Sequence, residues 1–531
     1  MKSILRKIFS PKFIIFLILI LEIAIVGALW YLFQTGIENI ILSSNPDSTE
    51  ADRQATYIMV IILRTAFYII DFLILYRIIN REENPEYKIP WLVIMIFSPM
   101  VAGVLYLLFG RNVLTIKEEL LVKEQKKVIN ALSSSDVDKE EFESLDEYKG
   151  VYNYLKDVTK LRLSKNNHLT YFKNGEEFFP DLVESLKKAK EFILIEFFII
   201  GTGIWWDRVF EVLKAKASEG VKVKLIYDDI GSFGTVPENF LDILKKAGID
   251  AYKFHPFRPT LNIALNNRTH RKIVVIDHMI SYTGGMNLAD EYANEIVRFG
   301  YWKDTMLKIE GPGIYNLIQI FLEDFDLAKK KISDYMEFLD GNYPIFEDEG
   351  YCFAFGDGPG PYDGFHNVGE DNYINLINSA KKEIYISTPY LITPYSLQKA
   401  IVLAARRGIK VNLIVPAIPD KKLVYWLAKG EFHHFLKAGV KIYTYTKGFN
   451  HEKQMLVDSK ICFIGTINFD FRSLTHHFEC GATISGAKVI DEIEEDFKNM
   501  VSESNLVPAD FKMNAFQRFI IGIVKVFRTL L

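Results

Sequence analysis

The chain has 531 residues, of which 49% are hydrophobic, 24% charged and 14% aromatic, with a formal net charge of −4. That aromatic content excludes a disordered chain, the net charge argues against a generally basic nucleic-acid binder, so no nucleic-acid partner is expected, and Cys352, Cys462 and Cys480 are too few for a disulfide scaffold and lack metal-site spacing. A mean hydropathy of +0.08 is high for a chain one quarter charged, which points to apolar residues gathered in one part of it.

In chain order, three apolar segments come first. Residues 13–33 are apolar apart from Glu22 and long enough to cross a hydrocarbon core of about 30 Å. No small-residue cleavage site follows, so an uncleaved anchor is expected rather than a signal peptide. Residues 57–79 form a second segment, interrupted by Arg64 and Asp71 on one helical face, a pair expected to turn inward or to interact. Residues 91–109 carry no charge but include Pro99 and Gly103. Residues 1–110 therefore read as a membrane region of two to three hydrophobic helices. Lys2, Arg6, Lys7 and Lys12 place the N-terminus in the cytoplasm, and Arg77, Arg81 and Lys88 mark an inside loop. Three full crossings would leave the rest outside, yet Arg111, Lys117, Lys123, Lys126 and Lys127 say inside. A re-entrant or interfacial segment and a cytoplasmic body reconcile the two.

Residues 111–160, rich in Lys and Glu, read as a charged helical connector. Amphipathic helices then alternate with short β-branched runs, an α/β pattern, and the pattern occurs twice. Gly220-Val-Lys-Val-Lys-Leu-Ile-Tyr matches Gly408-Ile-Lys-Val-Asn-Leu-Ile-Val, each a helix-ending glycine that opens a buried strand. The copies lie about 180 to 190 residues apart, far above solenoid periods, so a duplicated domain is expected, with halves at 161–340 and 341–508. The Gly/Pro cluster that starts at Gly356 reads as an active-site loop. Residues 509–531 carry Lys512, Arg518, Lys525 and Arg528 among apolar residues, the pattern of a basic amphipathic helix on an anionic bilayer. Docking on the core is the competing expectation.

Each half ends on the same motif. His270-Arg-Lys272-Ile-Val-Val-Ile-Asp277 is followed by Gly284-Gly285-Met-Asn287, and His451-Glu-Lys453-Gln-Met-Leu-Val-Asp458 by Gly465-Thr466-Ile-Asn468, with identical spacing. On a strand, a His and a Lys two apart share one face. The Asp suits the turn that follows, and the returning strand brings Gly284-Gly285 beside the first pair and Gly465-Thr466 beside the second. Cations and amide donors suit the oxygens of a phosphodiester, where transition-state charge gathers. The lysines would replace a metal, so neither a metal nor a cofactor is expected. One neutral His can attack phosphorus to give a phosphohistidine. The other, protonated, can donate to the leaving oxygen. Each needs an orienting carboxylate, for which Asp304 and Glu479 are candidates. The expected catalytic set is His270, Lys272, Asp277, His451, Lys453 and Asp458, with Asn287, Asn468, Gly285, Thr466, Asp304 and Glu479 binding phosphate or orienting the histidines.

This paired His-Lys-Asp motif resembles that of the phospholipase D superfamily, and more closely that of bacterial cardiolipin synthases. The likeness extends to Tyr227-Asp-Asp229-x-Gly-Ser232, Asn287-Leu-Ala-Asp-Glu-Tyr292, Tyr301-Trp-Lys-Asp304 and Asn468-Phe-Asp-Phe-Arg-Ser473, and to Pro99, Gly103 and Leu107-Leu-Phe-Gly-Arg111 in the third apolar segment. It implies two phospholipase D-like αβα sandwich domains sharing one site, preceded by transmembrane helices in a bacterial inner membrane. It also implies phosphatidyl transfer between two phosphatidylglycerol molecules, giving cardiolipin and glycerol, with anionic membrane lipids as partners. By the same likeness His270 is the nucleophile and His451 the acid/base, although the motif's symmetry alone allows the reverse. A hydrolase, or a transferase with another donor or acceptor, is the alternative. Three features depart from the family pattern: Glu452 between the second His and Lys, which strand alternation turns away from the site, His476-His477, and the extra first apolar segment.

Overall fold

The computed structural model describes residues 49–81, 84–97, 102–103, 105–106, 115–132, 147–256, 267–347, 350–359 and 367–530. The apolar segment 13–33, most of residues 98–109 and the tip of the Gly/Pro loop lie outside these residues. The chain divides into two units, Met1–Arg111 and Asn112–Leu531.

In the first unit, helix Glu50–Ile79 opens on a capping box: Thr49 Oγ1 accepts from the Asp52 amide, and the Asp52 carboxylate accepts from the Thr49 amide at 2.9 Å. At 30 residues it is the one helix, among the described residues, long and apolar enough to cross a membrane. Its side chains are mostly bare, with Ile62 and Phe72 over 60% exposed. Helix Pro85–Phe97 starts on a proline, whose missing N–H costs nothing at a first turn; its 13 residues rise only about 20 Å. Ile74 and Ile78 pack with Trp91, Met95, Ala102 and Tyr106. Asp71 lies against the Gly103 backbone, where an added Cβ would come within 2.6 Å of its Oδ1.

The second unit is built on two sheets of the same plan. The first runs, from edge to edge, His168–Phe172, Met306–Glu310, Ile280–Gly284, Lys272–Ile276, Phe192–Phe197, Lys222–Asp228, Asp250–Phe254. The second repeats that order as Tyr351–Asp357, Glu479–Ser485, Ile461–Gly465, Gln454–Val457, Glu383–Ser387, Lys410–Pro416, Lys441–Tyr445, and adds the edge strands Ser164–Lys165 and Ser504–Leu506. In both, the last three of the seven shared strands are parallel and the others antiparallel.

The expected helix-to-strand glycines sit where these parallel units turn. Gly220 (φ 92°) and Gly408 (φ 91°) follow helices Ile204–Ser218 and Tyr395–Arg406 in the left-handed region. The residue after each donates back to the last turn: Val221 to the Lys216 carbonyl at 3.0 Å, Ile409 to that of Ala404 at 3.2 Å. Strand Phe192–Phe197 is buried on both faces, so its period-two alternation divides between two cores: Phe192 and Leu194 join one, Ile193, Ile195 and Phe197 the other. Helix Ile314–Lys329 packs against strands of both sheets and is buried along most of its length. The three cysteines are free and buried.

Candidate active site

The two His-x-Lys motifs enter their sheets alike. Lys272 opens one strand at the register of Phe197, the C-terminal end of the central parallel strand, and the hairpin pairs Ile273 with Thr283. Lys453 immediately precedes strand Gln454–Val457 and accepts from the Gly465 amide at 3.2 Å. Both hairpins thus carry the register expected from the spacing.

Just ahead of each strand, the chain leaves its own sheet and pairs with the other half. Gly448–Asn450 runs parallel to Tyr301–Lys303, and the His451 amide donates to the Lys303 carbonyl at 2.7 Å. Thr269 bridges Phe478 in parallel, and the His270 amide donates to the Phe478 carbonyl at 2.8 Å. The residue following each partner is an acid, so the carboxylates are exchanged between halves. His270 Nδ1 lies 2.9 and 3.0 Å from the two Glu479 oxygens, and His451 Nδ1 lies 2.6 Å from Asp304 Oδ2. An acceptor at Nδ1 holds the proton there, which leaves Nε2 of a neutral ring with its lone pair exposed for attack. Lys272 Nζ donates to the His270 carbonyl at 2.5 Å. Lys453 Nζ donates to the His451 carbonyl, and lies 2.8 Å from His451 Nδ1 and 3.9 Å from Asp304.

A family model described as cardiolipin synthase, PLD-like domain, matches residues 182–325 and 373–501, and a phospholipase D-nuclease N-terminal model matches 69–111. A cardiolipin synthase 2 of Staphylococcus epidermidis is 32% identical over 482 residues, 88% of this chain and 98% of that protein. The chain belongs to the cardiolipin synthase family. Another family member, a cardiolipin synthase of Staphylococcus aureus, is 32% identical over 478 residues, covering 87% and 96% of the two chains. An uncharacterised protein of Streptococcus mutans is 36% identical over 434 residues, 81% of this chain and 93% of that one. A phosphatidylserine synthase from Haemophilus influenzae superposes with a TM-score of 0.55 at 14% identity, covering 73% of this chain and all of that one, which establishes the shared fold.

Electrostatically, this member's site is crowded with cations. Burial first, then Lys272, Lys453 and His451, hold the His270 imidazole well below its usual value. Burial and Lys453 bring His451 down to about 4, against the pull of Asp304. Burial takes Lys272 to about 7, opposed by Glu479, and Lys453 to about 8, opposed by Asp304. A phosphodiester anion among these groups would offset the repulsion, so this cluster favours an anion.

Several expected site residues lie elsewhere or do other work. Asp277 and Asp458 stand at the far ends of their strands, five positions beyond Lys272 and Lys453. Asp277 accepts from the Lys190, Glu191 and Phe192 amides at 2.8–2.9 Å, and Asp458 from those of Lys381, Lys382 and Glu383 at 2.7–2.8 Å. They tie the central strand of each sheet to its hairpin and are not brought to the histidines. The Gly285 and Thr466 amides donate to Thr305 and Cys480 carbonyls at 2.9 and 2.8 Å, so neither faces a ligand. Gly285 instead makes room for Asp304, whose Oδ1 would lie 2.0 Å from an added Cβ, and the Thr466 hydroxyl donates to Glu479. Asn287 accepts from Ile199 N at 2.9 Å and donates to the Tyr292 hydroxyl at 2.5 Å. Asn468 donates to Ser473 Oγ at 3.0 Å, and its Oδ1 is buried without a hydrogen-bond partner among the described residues.

Glu452 does face away from the pocket. It is buried against Lys303 at 2.7 Å, which also binds Asp496 at 2.6 Å. Its counterpart Arg271 binds Asp324 at 2.9 Å and donates to the Glu479 carbonyl at 3.0 Å. Arg271 thus holds the backbone of Glu479 itself, and Glu452 holds the side chain of Lys303, the residue before Asp304. The aromatic walls were not legible as such: Phe198 lies 5.2 Å from the His270 ring, Tyr292, Trp302 and Phe449 lie 5.4–5.6 Å from that of His451. Tyr292 and Trp302 sit within the stretches that carry the family likeness, whereas nothing in the sequence marks Phe198. His477 stands 5.5 Å from the His270 ring with Nδ1 3.5 Å from Glu479. His270, His477 and Glu479 have ligand atoms within 4.8 Å of one another, close enough for a divalent ion, though the first and last already satisfy each other.

Proposed function

We propose that this chain is a cardiolipin synthase, joining two phosphatidylglycerol molecules with release of glycerol. The observation that carries the reading is the exchanged pair of buried His–carboxylate contacts, His270 with Glu479 and His451 with Asp304, set among two buried lysines. His270 Nε2 attacks phosphorus of the first lipid, and the P–O bond to its headgroup glycerol breaks. His451 gives the departing oxygen its proton, leaving a phosphatidyl-histidine. A headgroup hydroxyl of the second lipid then attacks, His451 takes back a proton, the N–P bond breaks and cardiolipin leaves. Lys272 and Lys453 bind the non-bridging oxygens. Asp304 and the substrate's own negative charge favour the protonated His451 that the first step requires. Asp277, Asp458, Asn287, Asn468, Gly285 and Thr466 support the frame that holds these groups.

The organisation that goes with this reading is a membrane region at 1–110 with two to three helices, a helical connector at 111–160, phospholipase D-like halves at 161–340 and 341–508, and a basic amphipathic helix at 509–531. The protein is multi-pass in the bacterial inner membrane with its catalytic body in the cytoplasm. The test is incubation with phosphatidylglycerol alone, reading cardiolipin and glycerol. With labelled lipid, His451→Ala should trap a phosphatidyl-enzyme that His270→Ala does not form. Phosphatidic acid as the product would make the enzyme a hydrolase, and cardiolipin from both variants would overturn the mechanism. Because lysines do the work of a metal, EDTA should leave cardiolipin formation unchanged.

A further inference from the structure

We propose that the C-terminal helix reads an anionic bilayer and couples it to the active-site wall, so that this member works on lipid in a membrane through a contact built into its last residues. The proposal rests on the lipid-substrate reading above. Helix Ala515–Val524 and the 3-10 turn Lys525–Leu530 have two unlike faces. The inner face is pinned: Ile521 is 4% exposed and packs on Gly430, where an added Cβ would lie 3.1 Å from it. Lys525 Nζ binds the buried Glu431 at 3.0 Å, with the Arg528 guanidinium 3.8 Å from the same carboxylate and stacked over Phe471. Two of the four cations of this segment therefore face the protein, as the docking expectation has it.

The outer face carries Phe516, Phe519 and Ile523, at i, i+3 and i+7, exposed by 66%, 66% and 51%. Three large apolar side chains on one stripe are costly in water and suit a bilayer interface. Lys512 and Arg518 are exposed beside them, and residues 511–531 include no acid. The surface is therefore complementary to an anionic lipid layer. The same chain carries a helix able to cross a membrane, so a bilayer is at hand. Two further exposed apolar tips, Phe233 and Ile418, follow the C-terminal ends of parallel strands Lys222–Asp228 and Lys410–Pro416, the end at which the histidines lie.

The inner face leads to the site. The Thr529 carbonyl accepts from His476 Nε2 at 3.2 Å, and burial pushes that imidazole down to about 4, so it stays neutral and donates. Its neighbour His477 stands against His270 and Glu479. Movement of the helix on its lipid side is thereby transmitted to the pocket wall within two residues. His476 and His477, which depart from the family pattern, are positioning residues of this link.

The experiment uses the full chain reconstituted in equimolar phosphatidylglycerol and phosphatidylcholine bilayers. The three native cysteines are buried, so Phe519→Cys can be labelled selectively with an environment-sensitive dye, and Lys188→Cys, exposed at the opposite strand ends, serves as control. Spin-labelled lipid should quench the Phe519→Cys probe several-fold more than the control, and Lys512→Glu/Arg518→Glu should remove most of that difference. Quenching no greater than at the control, the result if another part of the chain covers the stripe, overturns the proposal. For the coupling, Phe516→Ser/Phe519→Ser/Ile523→Ser should lower cardiolipin formation on bilayers about tenfold while leaving turnover in detergent micelles within about twofold. Unchanged bilayer turnover overturns the coupling. Lipid quenching without any cardiolipin would sink the functional reading alone.

Discussion

His270 and His451 lean on carboxylates of different length, and the residues beneath them compensate. The longer Glu479 leaves room for Thr466 and takes its hydroxyl, whereas the shorter Asp304 occupies the space a side chain at Gly285 would need. Glu479→Gln and Asp304→Asn keep the shape but change the tautomer preference, so kcat should fall about 10²–10⁴-fold with KM little moved. Gly285→Ala should resemble Asp304→Asn, because its Cβ displaces the same carboxylate; steady-state kinetics on a folded variant would check this. The lysines set a pH dependence. Lys272, at about 7, and Lys453, at about 8, are cations below those values and lose charge above them. An anionic lipid phosphate binds the charged forms and raises both pKa values on binding. Its affinity is therefore greatest below pH 7 and weakens as pH climbs through 7 to 8, up to about tenfold per unit for each lysine. A KM that stays flat from pH 6 to 9 would refute this.

At the level of the element, each hairpin separates two duties along one strand. The His-x-Lys end faces the pocket, and the Asp end grips three amides at the entry of the central parallel strand. Asp277→Asn and Asp458→Asn should each lower stability by about 1–3 kcal/mol, seen as reduced denaturant midpoints, while kcat per folded molecule stays near that of the parent. Spacing made the hairpin legible in the sequence: His and Lys share a face, and the turn follows the Asp. It could not reveal that the Asp side chain reaches a neighbouring strand, since those amides belong to residues 75 to 87 positions earlier. Glu452 was legible too, because alternation alone turns it away; its ion pair with Lys303 was not, because that pairing depends on the other half of the chain.

Across the whole second unit, the duplication is visible in sequence and in sheet order, yet the site belongs to neither half. Asp304 and Glu479 stood out only as acids downstream of each motif, and which histidine each serves depends on the parallel pairings Gly448–Asn450 with Tyr301–Lys303 and Thr269 with Phe478. Non-local pairing of that kind leaves no local pattern to read. The exchange makes a coupling prediction. His270→Ala and Glu479→Gln should be strongly non-additive, the double variant no slower than the worse single one, since both disable one unit. Cycles of His270→Ala with Asp304→Asn should leave a clearly different remainder if the two units act at separate steps. The same exchange also bears on biosynthesis. Glu479 leaves the ribosome 209 residues after His270, about 10–40 s at ordinary translation rates. Throughout that interval a half-made chain can already be seated in the membrane while its first histidine still lacks the acid that orients it. The first motif thus stays without its orienting carboxylate until residue 479 has been made.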